Sequence, residues 1–130
     1  MHMQKNWKYY SLKAAGVYNV IWGLWLLLFP QAFFHLFNMP EINYPEIWQS
    51  VGMIVGVYGL GYWIAADDYV KHWPVLLVGF LGKFFGPIGA AWNIYQGKLP
   101  VEFLWINVFN DLIWLPVFVI VLLEARKNNK

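Results

Sequence analysis

Residues 51–66 read VGMIVGVYGLGYWIAA, and this stretch decides the fold class. A helix on the surface of a soluble protein keeps a polar face on the side away from the core. No such face exists here, because the stretch contains no charged residue and no amide side chain. The pattern therefore predicts a helix that lies in a membrane, and it argues against a helix in the core of a soluble bundle.

The composition of the whole chain points the same way. Of its 130 residues, 60% are hydrophobic and only 12% are charged, whereas a soluble domain carries roughly 25% charged residues. We therefore expect lipid to surround most of the surface. The net charge of +2 is too small to predict a nucleic-acid partner. The absence of cysteine excludes disulfides, iron–sulfur clusters and thiol catalysis.

Four stretches contain the roughly 20 mostly apolar residues that a membrane helix needs. They cover residues 14–36, 47–66, 74–95 and 103–123, and short segments with Pro, Gly, Asn and charge separate them. The length of the chain suits one domain. We therefore expect an all-α fold, an antiparallel four-helix transmembrane bundle that forms a single domain over residues 1–130.

The Lys and Arg residues near the helix ends predict the orientation, because these residues favour the cytoplasmic side of a membrane. One side of the predicted bundle has seven of them: Lys5, Lys8, Lys13, Lys71, Arg126, Lys127 and Lys130. The opposite side has only Lys98. We therefore expect a multi-pass protein of a bacterial inner (cytoplasmic) membrane, with both termini in the cytoplasm and the lipid bilayer as a partner.

Glycine recurs at regular spacing in two of the predicted spans. In lipid, small residues let helix backbones approach each other closely. The second span has Gly52, Gly56 and Gly59, and the third has Gly79, Gly82, Gly86 and Gly89. The regular spacing favours a role in helix packing over the general abundance of glycine in membrane helices. The simplest arrangement has these two helices touching along their glycines, within one chain or across a dimer.

Two ionisable residues lie deep in the predicted spans. Lys83 is about eight residues inside the third span, which corresponds to roughly 12 Å of helix. A Lys or Asp at the centre of a bilayer costs about 2.5–3.5 kcal/mol, so each needs a compensating contact. Asp111 lies at a comparable depth in the fourth span, which a short loop makes an antiparallel neighbour. We therefore predict that Lys83 and Asp111 are paired, directly or through water.

Further polar side chains surround this predicted pair. Asn107, Asn110, Asp111 and Trp114 are spaced so that they share one face of a helix. Asn93 lies at a similar depth, and Asn19, Tyr18, Tyr58 and Tyr62 are the other polar groups that could join a network.

Two prolines lie near these polar groups. Pro87 and Pro116 lack the amide hydrogens that would otherwise bond to the carbonyls of Lys83 and Leu112. Kinks at these positions could open a small cavity, or neighbouring helices could cover the freed carbonyls. The pair itself has two interpretations, a structural contact that fixes helix register and a ligand-binding or proton-handling site.

The outline resembles small four-helix membrane proteins of the DoxX-like kind. The resemblance rests on a first helix that ends near a proline, LWLLLFPQAFFHLF, and on a glycine-rich second helix that ends in a charged turn, VGVYGLGYWIAADDYVKHWP. It implies four membrane helices. Some members of such families are suggested to be subunits of quinone-linked or redox membrane complexes. The resemblance transfers no functional residue.

The polar site leads to three hypotheses of function. The first is a non-enzymatic membrane protein that binds or transports a small polar or anionic ligand at this site. The second is an accessory subunit of a membrane complex or a homo-oligomer, in which glycine stripes and aromatic faces contact partner proteins. The third is a membrane enzyme acting on a lipid or a quinone. No catalytic residue or metal site is predicted, and the sequence names no cofactor, because the common catalytic motifs are absent.

Overall fold

The computed structural model describes residues 5–129 of the chain. Lys130, one of the seven basic residues that predict the orientation, lies outside the described residues. The described chain is all-α. Its elements are α1 (Trp7–Leu28), α2 (Ala32–Leu36), α3 (Pro45–Ala65), α4 (Trp73–Tyr95), a 3₁₀ turn (Val101–Phe103), α5 (Leu104–Asn107), a π-helical segment (Val108–Leu112) and α6 (Leu115–Asn128).

The first helix differs from the first predicted span at both ends. It begins at Trp7 because the side chain of Asn6 accepts hydrogen bonds from the amides of Lys8 and Tyr9, which caps the helix. It ends at Leu28, two residues before Pro30, and the short helix α2 then follows as a separate element. Counting apolar residues merged α1 and α2 into one span, because the turn between them is itself largely apolar.

Three helical stretches of the described chain are long and apolar enough to cross a membrane. They are Trp7–Leu28, Trp73–Tyr95 and Val101–Asn128, the last of which combines several shorter elements. Helix length and hydropathy therefore indicate a multi-pass membrane protein. Helix α3 has a similar length of 21 residues but is not among these three stretches.

Helices α1 and α3 pack against each other in antiparallel orientation through glycines. A Cβ atom added to Gly59 would lie 2.5 Å from the carbonyl oxygen of Gly16, and one added to Gly52 would lie 2.8 Å from that of Gly23. Gly16 thus lies opposite Gly59 and Gly23 opposite Gly52, so the two helices run in opposite directions. Within the chain, Gly52 and Gly59 therefore pack against glycines of α1 and not against those of α4. Contact between the glycines of the second and third spans across a dimer stays a prediction.

The glycines of α4 have different surroundings. Gly79 faces the ring of Tyr62 on α3, and Gly86 lies beside the carboxylate of Asp111. Cβ atoms added to Gly82 and Gly89, or to Gly56 of α3, would meet no atom within 4 Å. The α4 glycines thus accommodate an aromatic ring and a carboxylate, and two of them lie at the open surface of the chain.

The last span is interrupted near its middle, whereas α4 continues through Pro87. Here α5 passes into the π-helical segment, a turn follows at residues 113–114, and α6 begins at Leu115. Pro116 occupies the first turn of α6, where its missing amide hydrogen costs no helical hydrogen bond. The irregular backbone precedes this proline and coincides with the polar residues of the span.

A hydrogen-bonded cluster joins three parts of the chain at the end of the bundle where α1 begins and α6 ends. The carboxylate of Glu124 on α6 accepts hydrogen bonds from Lys8 of α1 and from the hydroxyl of Tyr69, at 2.8 Å in the second case. Tyr69 belongs to the segment between α3 and α4, and burial raises the pKa of its hydroxyl. The hydroxyl therefore stays protonated and can donate to the carboxylate.

Candidate functional site

A cavity of about 490 Å³ lies between α1, α3, α4 and the π-helical segment. Three of the six residues of the predicted polar site line it, namely Lys83, Asn110 and Asp111, and so do Asn19, Tyr58 and Tyr62, which were expected as further members of the network. The remaining lining residues are Trp22, Ile54, Val55, Val78, Gly79, Leu81, Gly82 and Phe85. The cavity is thus mostly apolar and aromatic, with a few polar groups that converge on it.

The π-helical segment provides the partner of Lys83. In a regular α-helix the amide of Trp114 would donate to the carbonyl of Asn110, four residues earlier. It donates instead to the carbonyl of Asp111, at 3.1 Å. The Asn110 carbonyl accepts a hydrogen bond of 2.7 Å from the Nζ atom of Lys83. Side chains that satisfy freed backbone carbonyls are what allows irregular helices inside a membrane.

Aromatic rings hold the same ammonium group. The Nζ atom of Lys83 lies 5.5 Å from the ring centroid of Tyr62 and 5.8 Å from that of Phe118. These distances fall within the range of cation–π attraction. The two rings pack edge to face, and Lys83 is only 5% exposed. Gly79 has no side chain, which leaves space for the Tyr62 hydroxyl next to α4.

The direct ion pair expected between Lys83 and Asp111 is not formed in this structure. No nitrogen–oxygen distance of 4.0 Å or less joins the two side chains, although both line the cavity. The Lys83 ammonium is directed at the carbonyl of Asn110 because the π-helical segment frees that acceptor. A pairing through water stays a prediction.

The asparagines of the predicted network have separate partners. The side chain of Asn110 accepts a hydrogen bond from the Tyr18 hydroxyl of α1. Asn93 donates to the carbonyl of Gly89 in its own helix, at 2.8 Å, and does not line the cavity. Asn107 is buried outside the cavity lining, and its Nδ2 atom has no hydrogen-bond partner among the described residues.

Trp114 also lies apart from the cavity. Its indole nitrogen donates to the carbonyl of Phe109, at 2.9 Å, and its ring lies 5.8 Å from that of Tyr18. The regular helical spacing that grouped Trp114 with Asp111 in the sequence does not hold across the π-helical segment, which shifts the following residues around the helix axis.

Helices α1 and α3 supply the part of the cavity lining for which the sequence predicted only possible polar members, such as Asn19, and no apolar ones. Asn19 is 7% exposed and donates to the carbonyl of Val55, at 3.2 Å, which ties α1 to α3 at the cavity. Asn19 was detectable as an amide inside an apolar span. Apolar lining residues such as Trp22 carry no such signal, because in a membrane helix both lipid-facing and interior positions are apolar.

The cavity reaches the outer surface between α3 and α4. Ile54 of α3 and Leu81 and Phe85 of α4 line it, and they are 59%, 39% and 58% exposed. These exposures mean that the facing sides of the two helices are not closed against each other at this level. The cavity is therefore open at the surface of the bundle on this side.

The described residues 5–129 contain no group of three His, Cys, Asp or Glu side chains that could hold a metal ion.

No family model, no curated protein and no solved structure matches the chain. The resemblance to DoxX-like proteins thus has no support from these comparisons, and the assignment that stands is an all-α protein with three candidate membrane spans.

Proposed function

We propose that the protein crosses the bilayer four times and that its cavity binds a small ligand through a polar head group. The observation that carries the proposal is the convergence of Lys83, Asp111 and Asn110 on one mostly apolar cavity. The volume of about 490 Å³ lies within the range of roughly 300–1,000 Å³ that is typical of small-molecule sites. Sites of this kind combine an apolar lining with a few oriented polar groups.

The pairing of α1 with α3 supports the fourth crossing. Polar contacts accompany the glycine contacts along the helices: Gln49 donates to the carbonyl of Leu27 at one end, and Lys13 donates to that of Trp63 at the other. Because α3 lies antiparallel to α1 along most of its length, a membrane crossing by α1 places α3 at the same depths in the bilayer. The 21 residues of α3 correspond to about 30 Å, the thickness of the hydrocarbon core.

Single-cysteine labelling tests this topology, because the natural sequence has no cysteine. Asn43 precedes α3 and Lys71 follows it, and both are exposed. With four crossings and cytoplasmic termini, a membrane-impermeant maleimide added outside intact cells should label Asn43→Cys and leave Lys71→Cys unlabelled until the cells are opened. Equal labelling of both positions from one side would contradict a crossing by α3.

Unused hydrogen-bonding capacity supports the binding role. The Lys83 ammonium has three donor hydrogens and makes one hydrogen bond in the described chain. Asp111 lines the cavity, and its carboxylate makes no hydrogen bond or ion pair of 4.0 Å or less in the described part of the chain. Polar groups inside a membrane are costly when they lack partners. A bound ligand would supply these partners.

Native mass spectrometry of the purified protein tests the binding role. The wild-type protein should retain a small molecule of discrete mass, whereas Lys83→Met and Asp111→Asn should lose it. Lys98→Met is the matched control, because it removes the same charge from an exposed loop, and it should retain the molecule. A bound molecule that survives Lys83→Met would contradict the proposal, and so would a wild-type protein that neither retains a molecule nor saturably binds an added one.

A role as an accessory subunit of a membrane complex has one supporting observation. Gly82 and Gly89 lie on the exposed surface of α4 with no neighbour within 4 Å of an added Cβ atom, and small residues of this kind permit close approach of another helix. Extraction in a mild detergent should then recover a stoichiometric partner. Recovery should fail for Gly82→Leu if that surface is the contact.

A further inference from the structure

We infer that the ligand is a neutral amphiphile with a head group that both donates and accepts hydrogen bonds, and that it enters from the lipid between α3 and α4. This inference rests on the proposed function and names the class of molecule that the same cavity would select. Three features of the cavity carry it: its balanced charge, the apolar lining beside its polar groups, and its opening at the surface of the bundle.

The charges that line the cavity consist of one lysine and one aspartate. Because they are opposite in sign, an added anion attracted by Lys83 would face the carboxylate of Asp111, and an added cation would face the ammonium. Bringing such an uncompensated charge into an apolar site is costly. A neutral head group avoids this cost.

Because the two charges are separated, the cavity favours a head group that carries both a hydrogen-bond donor and a hydrogen-bond acceptor. Lys83 and Asp111 are not within 4.0 Å of each other, so neither satisfies the other directly. The ammonium offers only donor hydrogens and the ionised carboxylate offers only acceptor oxygens. A single head group satisfies both when its acceptor atom faces Lys83 and its donor hydrogen faces Asp111. Primary amides and alcohols have this property.

The apolar lining suits a hydrocarbon tail. Trp22, Val55 and Val78 line the cavity beside the polar groups. They offer dispersion contacts and no hydrogen-bonding group except the indole of Trp22. The exposed side chains at Ile54, Leu81 and Phe85 continue this apolar surface to the outside of the bundle. A ligand with a tail would therefore stay in contact with apolar atoms from the lipid to the interior.

Photo-cross-linking in liposomes tests the inference with three probes that share one diazirine-bearing decyl chain. Their heads are a primary amide, a sulfonate and a trimethylammonium group. With wild-type protein the amide probe should label α3 and α4 around Ile54, Leu81 and Phe85. An excess of unmodified decanamide should suppress this labelling, and the amide probe should exceed the two charged probes by about tenfold, since misplaced charge is strongly penalised.

Charge-changing variants should switch the preferred probe. Asp111→Asn leaves the cavity positive, so the sulfonate probe should gain at least about tenfold relative to the amide. Lys83→Met leaves it negative, so the trimethylammonium probe should gain instead. Lys98→Met should keep the wild-type order. Circular dichroism and gel filtration show that each variant is folded, and if Lys83→Met is not, Lys83→Gln takes its place.

The outcomes separate the inference from the proposed function. If the sulfonate or trimethylammonium probe is preferred by the wild type, or if the order does not change with the site charge, the neutral-head inference is wrong while a binding cavity remains. If no probe gives saturable labelling but Lys83→Met still loses the co-purified molecule, the inference again fails alone. The proposed function fails when neither saturable labelling nor a co-purified molecule is found.

Discussion

The ammonium of Lys83 on α4 is bonded to the backbone carbonyl of Asn110, with 2.7 Å between nitrogen and oxygen. The contact depends on backbone irregularity, because a regular helix would use that carbonyl for its own amide at position 114. A charged side chain and an irregular helix, each costly alone inside a membrane, compensate each other here. The carboxylate of Asp111, which lines the same cavity, forms no ion pair with Lys83 and is available to bind another group.

Removal of the Lys83 side-chain amine should destabilise the fold. Lys83→Met leaves the Asn110 carbonyl without its partner, and an unsatisfied buried acceptor costs about 1–3 kcal/mol. Chemical unfolding in mixed micelles measures the change in the free energy of unfolding. The exposed control Lys98→Met should change it by less than about 0.5 kcal/mol. Equal stability of the two variants would show that the carbonyl does not depend on Lys83.

Replacement of Gly59 should disturb the contact between α1 and α3. A Cβ atom there would lie 2.5 Å from the carbonyl oxygen of Gly16, which cannot move without its helix. Overpacking of this kind costs typically about 1–3 kcal/mol, so Gly59→Ala should lower the unfolding free energy by that amount.

Gly56→Ala on the same helix is the matched control for this replacement. No atom lies within 4 Å of its added Cβ atom, and alanine forms helices better than glycine by about 1 kcal/mol. This variant should be neutral or slightly more stable in thermal unfolding. The account of the α1–α3 packing fails if Gly59→Ala and Gly56→Ala have the same effect.

The amide of Asn107 should be replaceable by an apolar side chain. Its Nδ2 atom is buried without a described partner, and a buried donor of this kind costs about 1–3 kcal/mol. Asn107→Leu has a similar volume and removes the unsatisfied group, so it should raise the unfolding free energy or leave it unchanged. A marked loss of stability would indicate that the amide has a partner, such as water, in the membrane.

The cluster of Lys8, Tyr69 and Glu124 should stabilise the terminal end of the bundle modestly. Tyr69→Phe removes the 2.8 Å hydrogen bond to Glu124 and retains the buried ring. The expected loss is about 0.5–1.5 kcal/mol, the usual contribution of one hydrogen bond. Tyr10→Phe, at a position that is 59% exposed, serves as the control and should have no effect on thermal stability. A loss as large for Tyr10→Phe would argue against a specific role of the cluster.

The long helices were accessible to sequence reasoning because apolar length is a strong signal. Helix α4 occupies Trp73–Tyr95, close to the predicted span 74–95. The separation of α1 from α2 was not foreseen, since the turn around Pro30 is flanked by apolar residues on both sides. Apolar content alone does not distinguish a turn near the membrane surface from a continuing helix.

The residues of the candidate site were foreseen only in part, and their contacts were not foreseen. Lys83, Asp111 and Asn110 line one cavity, whereas Asn93, Asn107 and Trp114 do not. That the cavity binds a ligand stays a prediction. The partner of Lys83 was missed because a backbone carbonyl has no sequence signature. The π-helical segment also changes which side chains share a face, so Asp111 lines the cavity and Trp114 does not.

The depth of residue 82 in the bilayer tests the central claim, that the polar cavity lies within the hydrocarbon. Gly82 lines the cavity and has open space around it, so a spin label on Gly82→Cys should be accommodated. Electron paramagnetic resonance in liposomes should find it relaxed by oxygen and protected from a water-soluble nickel complex, unlike a label on the exposed Gln96→Cys. Equal relaxation of both labels by the nickel complex would contradict an intramembrane site.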